Sequence, residues 1–266
     1  LPHESETESY EMQVKSSFLI SIILAFGFVV PLTAAKKAEN LLWVEGGGGI
    51  IFQSRNDVQI PANQGTRFSL SEGANGPFPA YRVYAGFRFF EKHEIMGLWA
   101  PLQVEGQKRF SQNISFQGST FPNTLNTDFL YKFNSYRLTY RYSFLENENW
   151  TLQGGFTGKI RDARIQLQQG AQLAAKDDLG FVPLLHFYVG YHINPVWTVE
   201  FYGDALVSPF GRAEDIALKL AYTIDDNWSV SGGYRTVEGG SEGGGSVYTF
   251  AWLHYFEVTV KYQLDI

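Results

Sequence analysis

The chain has 266 residues, no cysteine and a formal net charge of −6, with 18% charged and 16% aromatic residues. The missing thiols exclude a disulfide framework, thiolate catalysis and cysteine-ligated metals. The mild acidity gives no basic footprint for nucleic acid.

The first 35 residues stand apart from the rest. Met12-Gln13-Val14-Lys15 carries one positive charge, Phe18 to Val30 is an apolar run broken only by Ser21 and Gly27, and Pro31 to Ala35 ends in small residues. That order predicts a secretory signal peptide over 12–35, cleaved after Ala35, with 1–11 as a disordered upstream extension. The apolar run is too short to span a bilayer comfortably, although an N-terminal anchor is the competing reading.

From residue 36 onward a two-residue alternation predicts a single all-β domain. Ten strands are expected, near 41–53, 80–90, 94–104, 129–145, 150–166, 183–193, 197–207, 213–224, 228–237 and 248–265, with eight or twelve as alternative counts. In the second, Tyr81, Val83, Ala85, Phe87 and Phe89 alternate with Arg82, Tyr84, Gly86 and Arg88. The fourth sets Tyr136, Leu138, Tyr140, Tyr142 and Phe144 against Arg137, Thr139, Arg141 and Ser143. Leu185, Phe187, Val189, Tyr191 and Ile193 oppose His186, Tyr188, Gly190 and His192, and Ile216, Leu218, Leu220 and Tyr222 oppose Asp215, Ala217, Lys219 and Ala221. The last strand sets Phe256, Val258, Val260, Tyr262, Leu264 and Ile266 against Glu257, Thr259, Lys261, Gln263 and Asp265. Since successive strand side chains point to opposite faces, each strand has one oily and one polar side. Phe110 to Phe121 extends the third strand or forms an extra hairpin. The stretches 54–79, 105–128, 167–182, 208–212 and 238–247 are expected as the longer connections.

Two features decide which face meets which medium. Three hairpins share one plan, around Asn147-Glu148-Asn149-Trp150, Asn194-Pro195-Val196-Trp197 and Asp225-Asp226-Asn227-Trp228, each with an aromatic before a short polar turn and a Trp as the next strand begins. Short turns with aromatics at one height fit the rim of a transmembrane barrel. In addition, Arg82, Arg88, Arg137, Arg141, Lys159, Arg161, Lys219, Arg235 and Lys261 all fall on the polar face. A basic side chain facing lipid at mid-membrane costs roughly 2–4 kcal/mol, so the polar face must be the lumen. The expected fold is therefore a single antiparallel up-and-down transmembrane β-barrel, polar inside along nearly every strand.

The signal-like leader, the Asn-Trp and Asn-Pro-Val-Trp turns and the alternating C-terminal strand make residues 40–266 resemble the small bacterial outer-membrane barrels of the OmpA and OmpW type. That resemblance implies an outer-membrane location, periplasmic short turns, and contact with membrane lipid and lipopolysaccharide. It also implies assembly by the barrel-assembly machinery, although this chain ends in Ile266 where the class usually ends in Phe. Gly211-Arg212-Ala213-Glu214-Asp215 and the run Gly233 to Gly240 look like motifs of a narrower family, with no activity attached.

The residues expected to carry function are lumenal: Arg82, Arg137, Arg141, Lys159, Arg161, Lys219 and Arg235, with Glu200 and Glu257, supplemented by Glu45, Asp204 and Asp215. Their chemistry fits a site for an anion or acidic ligand such as a lipid phosphate in a narrow passage. It equally fits a self-satisfied ion-pair network filling a small bore. His186 and Asp204, placed directly opposite or on a diagonal across the Asn194-Pro195 turn, are the candidates for catalysis. A carboxylate-oriented histidine suits an esterase acting on lipid A or phospholipid. No Gly-x-Ser-x-Gly motif accompanies it, and a structural hydrogen bond is the competing reading. No cofactor or metal site is expected: Asp177-Asp178 and Asp225-Asp226 read as solvated charges, as does His93 in its turn.

Overall fold

The computed structural model describes residues 40–209, 211–244 and 246–266. The leader reading (12–35) and the upstream extension (1–11) lie outside the described residues. All the regular structure described is extended: β1 (Leu41–Gln59), β2 (Phe68–Ser69), β3 (Phe78–Phe89), β4 (His93–Ala100), β5 (Gln103–Lys108), β6 (Ile114–Phe116), β7 (Ser119–Phe121), β8 (Thr127–Glu146), β9 (Trp150–Gln169), β10 (Gln172–His192), β11 (Trp197–Ser208), β12 (Gly211–Thr223), β13 (Trp228–Glu242) and β14 (Tyr248–Asp265). Ten strands form an antiparallel ring, β1-β3-β4-β8-β9-β10-β11-β12-β13-β14, and β14 closes it by pairing with β1 over nearly its whole length. β5 resumes the line of β4 along β8 after the break at Pro101-Leu102.

Asx chemistry closes three of the four short turns at one end. The side-chain carboxyl or amide oxygens of Asn147, Asn194 and Asp225 each accept from two backbone N–H groups, the second being that of the Trp that opens the next strand. That local satisfaction is what Asn and Asp offer a tight turn. Each Trp then packs on a Tyr one strand further round the ring: Trp150 on Tyr191 (4.7 Å), Trp197 on Tyr222 (4.8 Å) and Trp228 on Tyr262 (4.8 Å). His93 corrects the expectation of a solvated turn residue. It takes the Trp position at the fourth turn, packing on Tyr142 at 5.1 Å and hydrogen-bonding the Tyr140 hydroxyl at 2.8 Å. A second set of exposed aromatics, including Tyr81, Trp99, Tyr136 and Trp252, lies further up the barrel wall. Between the two sets the exterior is apolar, with Leu138 64%, Phe156 67% and Val258 59% exposed. A closed barrel with an oily outer belt and aromatic girdles is the arrangement a bilayer requires.

Above the belt the expected pattern inverts. The loop 60–77 and the β6–β7 hairpin fold against the inner wall, where Ile60, Phe68, Leu70, Phe110, Ile114, Phe116 and Phe121 pack on Ile51, Val58, Val104, Phe129, Ile165 and Leu167. Outside the membrane the surrounding medium is water, so apolar side chains are driven inward as in any soluble core. Of the two readings for Phe110 to Phe121, the hairpin is the one formed (β6–β7); the strand extension, β5, ends at Lys108 before that stretch.

The stretch expected as a loop over 167–182 is instead a tall hairpin turning at Gly170, whose φ is +55°. It lacks oily alternation because its tip meets no lipid, and its ladder register plus the Arg164–Asp177 pair (2.8 Å) hold it extended. The connection at 208–212 likewise shrinks to a tight turn between Ser208 and Gly211.

Candidate functional site

The lumen is filled at mid-height by charge, and glycine makes the room. Gly47 stands opposite Arg82, Gly155 opposite Arg141 and His186, and Gly233 opposite Lys219 and Glu257. At Gly86 even a Cβ would come within 2.3 Å of the Trp43 indole. Long polar side chains can therefore cross a bore that two large residues per rung would overfill.

Asp215 of β12 is the hub. It accepts from Arg82 of β3 (3.0 Å), Arg137 of β8 (2.5 Å) and Arg235 of β13 (2.5 Å). β3 and β8 lie on the far side of the ring from β12, so these bonds cross the lumen. Arg137 also donates to Asp204 of β11 (2.6 Å). Arg235 donates to Glu257 of β14 (3.1 Å) and to the Tyr202 hydroxyl (2.9 Å). Lys219 bridges Glu257 (3.2 Å) and Glu45 of β1 (3.1 Å). Four cations, Arg82, Arg137, Arg235 and Lys219, thus meet four carboxylates, Glu45, Asp204, Asp215 and Glu257. Arg235 is 1%, Lys219 2% and Asp215 3% exposed. Buried charges are tolerated only when paired in this way.

Most of the residues expected from sequence converge here, and the others fall into distinct places. Arg141 lies nearer the short-turn end, paired with Glu94 (2.8 Å), which also accepts from Trp43 Nε1 (2.8 Å). Glu200 accepts from the Tyr188 hydroxyl (3.0 Å) instead of from a basic residue. Arg161 pairs with Asp178 on the wall above the plug. Lys159, only 4% exposed, makes no ion pair among the described residues and rests on the Phe133 ring at 4.7 Å. The basic excess of the lumen is therefore displaced from a balanced plug to the spaces above and below it. The sequence reasoning missed Asp215 as the hub and Glu94 as an anion of the lower lumen. Strand parity places Glu94 inward, whereas the hub role of Asp215, already counted among the lumenal carboxylates, depends on ring closure.

The plug separates two cavities. One, of about 180 Å³ at the short-turn end, is lined by Trp43, Arg88, Glu94, Arg141, Tyr188 and Lys261 among others. The other, of about 300 Å³ above the plug, has Lys159, Arg161 and Lys176 beside Tyr131, Phe133 and Leu253.

His186 and Asp204 do meet, Nδ1 to Oδ1 at 2.8 Å. Asp204 also accepts from the Thr157 hydroxyl (2.7 Å), which shares a hydrogen bond with Thr139 (2.7 Å). His186 Nε2 is buried without a hydrogen-bond partner among the described residues. A triad needs a nucleophilic hydroxyl at that nitrogen. The hydroxyl that is present points instead at the carboxylate. Asp177 and Asp178 are engaged by Arg164 and Arg161, and Asp225 caps its turn.

The closed ring, the lipid-facing belt and the two girdles define the fold of a small outer-membrane β-barrel. Among solved structures the chain is similar to the outer membrane protease OmpT from Escherichia coli (TM-score 0.48, 11% identity, 87% of this chain and 99% of that one). It is also similar to Ail, the attachment invasion locus protein of Yersinia pestis (0.40, 10%, 85% and 99%). A third is the outer membrane protein OprG from Pseudomonas aeruginosa (0.34, 12%, 86% and 98%). No protein-family model matches the sequence, and no curated protein matches it either.

Proposed function

We propose that the protein is an exported bacterial outer-membrane barrel that does not conduct, and that serves as a membrane-embedded binding protein. Its short turns face the periplasm, its oily belt takes lipid and lipopolysaccharide as partners, and the barrel-assembly machinery inserts it. The observation that carries the closed-lumen reading is Asp215, held at once by Arg82 and Arg137 from the opposite wall and by Arg235 beside it. A passage along the axis would have to break bonds that leave buried charges unpaired. The apolar packing of the outer mouth adds a second obstruction. An esterase role for His186 finds less support, since the Thr157 hydroxyl donates to Asp204.

In planar bilayers the purified barrel is expected to insert without discrete conductance steps. A stable open level of the wild-type protein at moderate voltage would overturn the closed-lumen reading.

A further inference from the structure

The ladder between β10 and β11 stops short. Its last pair is Leu185 with Ala205, yet β10 continues to Gln172 and β11 to Ser208. Over 172–184, β10 has β9 as its ladder partner and, among the described residues, no ladder partner on its other side. Pro183 stands two residues past the last pair, and a proline is accepted in a strand where no ladder donor is needed. The margins of this seam are oily. Leu179 is 76%, Phe181 71% and Val207 71% exposed.

Behind the seam lies the cavity of about 300 Å³, to whose wall β10 contributes Lys176, Asp178 and Val182. Its lining is both basic and apolar. Lys159 and Lys176 make no ion pair among the described residues, whereas Arg161, Arg164 and Arg212, which line the same cavity, are each matched with a carboxylate. Lys159 is the more telling of the two, because a nine-tenths-buried ammonium is costly without an anion. The apolar part of the lining is Tyr131 and Phe133 on the strand next to Lys159, with Val237 and Leu253 contributed by β13 and β14.

We propose that this cavity is a binding site for a small anionic amphiphile, with its acidic head on Lys159 and Lys176 and its apolar body against Phe133 and Leu253, entered through the β10–β11 seam. The volume holds about ten non-hydrogen atoms at the density of liquid water, the size of a single short chain and its head group. The head group of a membrane lipid and a free short-chain acid share this chemistry. The proposal rests on the closed-barrel reading for the floor of the pocket, while the lysines and the apolar lining belong to the wall.

Octanoate titrated calorimetrically into the full barrel in nonionic detergent is expected to bind saturably at one site. Lys159→Met should weaken that binding about tenfold, the worth of one charge-assisted contact. Lys132→Met, on the outer face and paired with Asp162, should leave it unchanged. Octanol and inorganic phosphate, each lacking half of the recognised chemistry, should bind weakly. Should Lys159→Met fail to fold, Lys176→Met carries the same comparison. Absence of octanoate binding, or equal affinity in the folded lysine variants, overturns the proposal. Weaker octanoate binding in phosphatidylglycerol than in phosphatidylcholine nanodiscs assigns the site to a lipid head group, and equal binding assigns it to soluble acids. A barrel that binds octanoate yet conducts contradicts only the closed lumen; a silent barrel that binds none contradicts only the site.

Discussion

Replacing Asp215 with leucine is expected to destabilise the folded barrel by about 3–5 kcal/mol, the usual cost of removing one partner from a buried charge cluster. Three guanidiniums converge on that carboxylate, and Arg82 and Arg137 are 5% and 7% exposed, beyond the reach of bulk water. Leucine is larger than aspartate, so the isosteric Asp215→Asn is the control that separates charge from packing. Unfolding by urea in lipid vesicles, followed by tryptophan fluorescence, reads the difference. A companion change of Arg137 to methionine should recover part of it by removing one stranded cation, although Asp204 then loses a donor. A loss below about 1 kcal/mol for Asp215→Leu would place its carboxylate in the range of ordinary hydrogen bonds and remove it as the hub.

Leu138→Arg should cost about 2–4 kcal/mol, because Leu138 faces outward between Tyr136 and Tyr140 in the middle of the oily belt. Its ladder neighbours Gly97 and Gly158 offer no side chain to shelter a guanidinium. The informative contrast is Leu125→Arg. Leu125 is 58% exposed, close to the 64% of Leu138, but it lies in the connection before β8 at the long-loop end, where water is the solvent. There the change should stay within about 0.5 kcal/mol. Equal exposure with unequal cost is the signature of two different solvents, and equal costs would contradict the belt.

The membrane-level half of this structure was readable from alternation because lipid and a charged lumen are both strict about which residues they accept. Every basic residue assigned inward in the sequence, from Arg82 through Arg235, lies on the inner wall. So does the opposition of His186 and Asp204, which follows from a short turn of known length. Pairing across the lumen was not readable. Arg82 and Asp215 are separated by 133 residues and meet only because the ring closes. Nor was the outer half, where Phe116, Phe121 and Leu167 face inward because water replaces lipid as the surroundings. The alternation there is genuine, but its sign depends on height above the membrane, which no local pattern encodes. Pro183 was an available clue to the seam, and the tall hairpin over 150–192 hid it by resembling loop sequence at its tip. His93 was misplaced for a similar reason. Turn composition marks where a chain bends, whereas packing on Tyr142 is decided by the neighbouring strand.

The most direct test of the two-faced barrel is quenching of single-tryptophan variants by lipids with brominated acyl chains. Trp99 is 49% exposed on the outer face of β4, and Trp43 is 5% exposed on the inner face of β1. In vesicles of brominated lipid the variant keeping only Trp99 should lose much of its fluorescence, and the variant keeping only Trp43 should be nearly unaffected. Quenching of Trp43 with sparing of Trp99 would turn the barrel inside out and contradict the account.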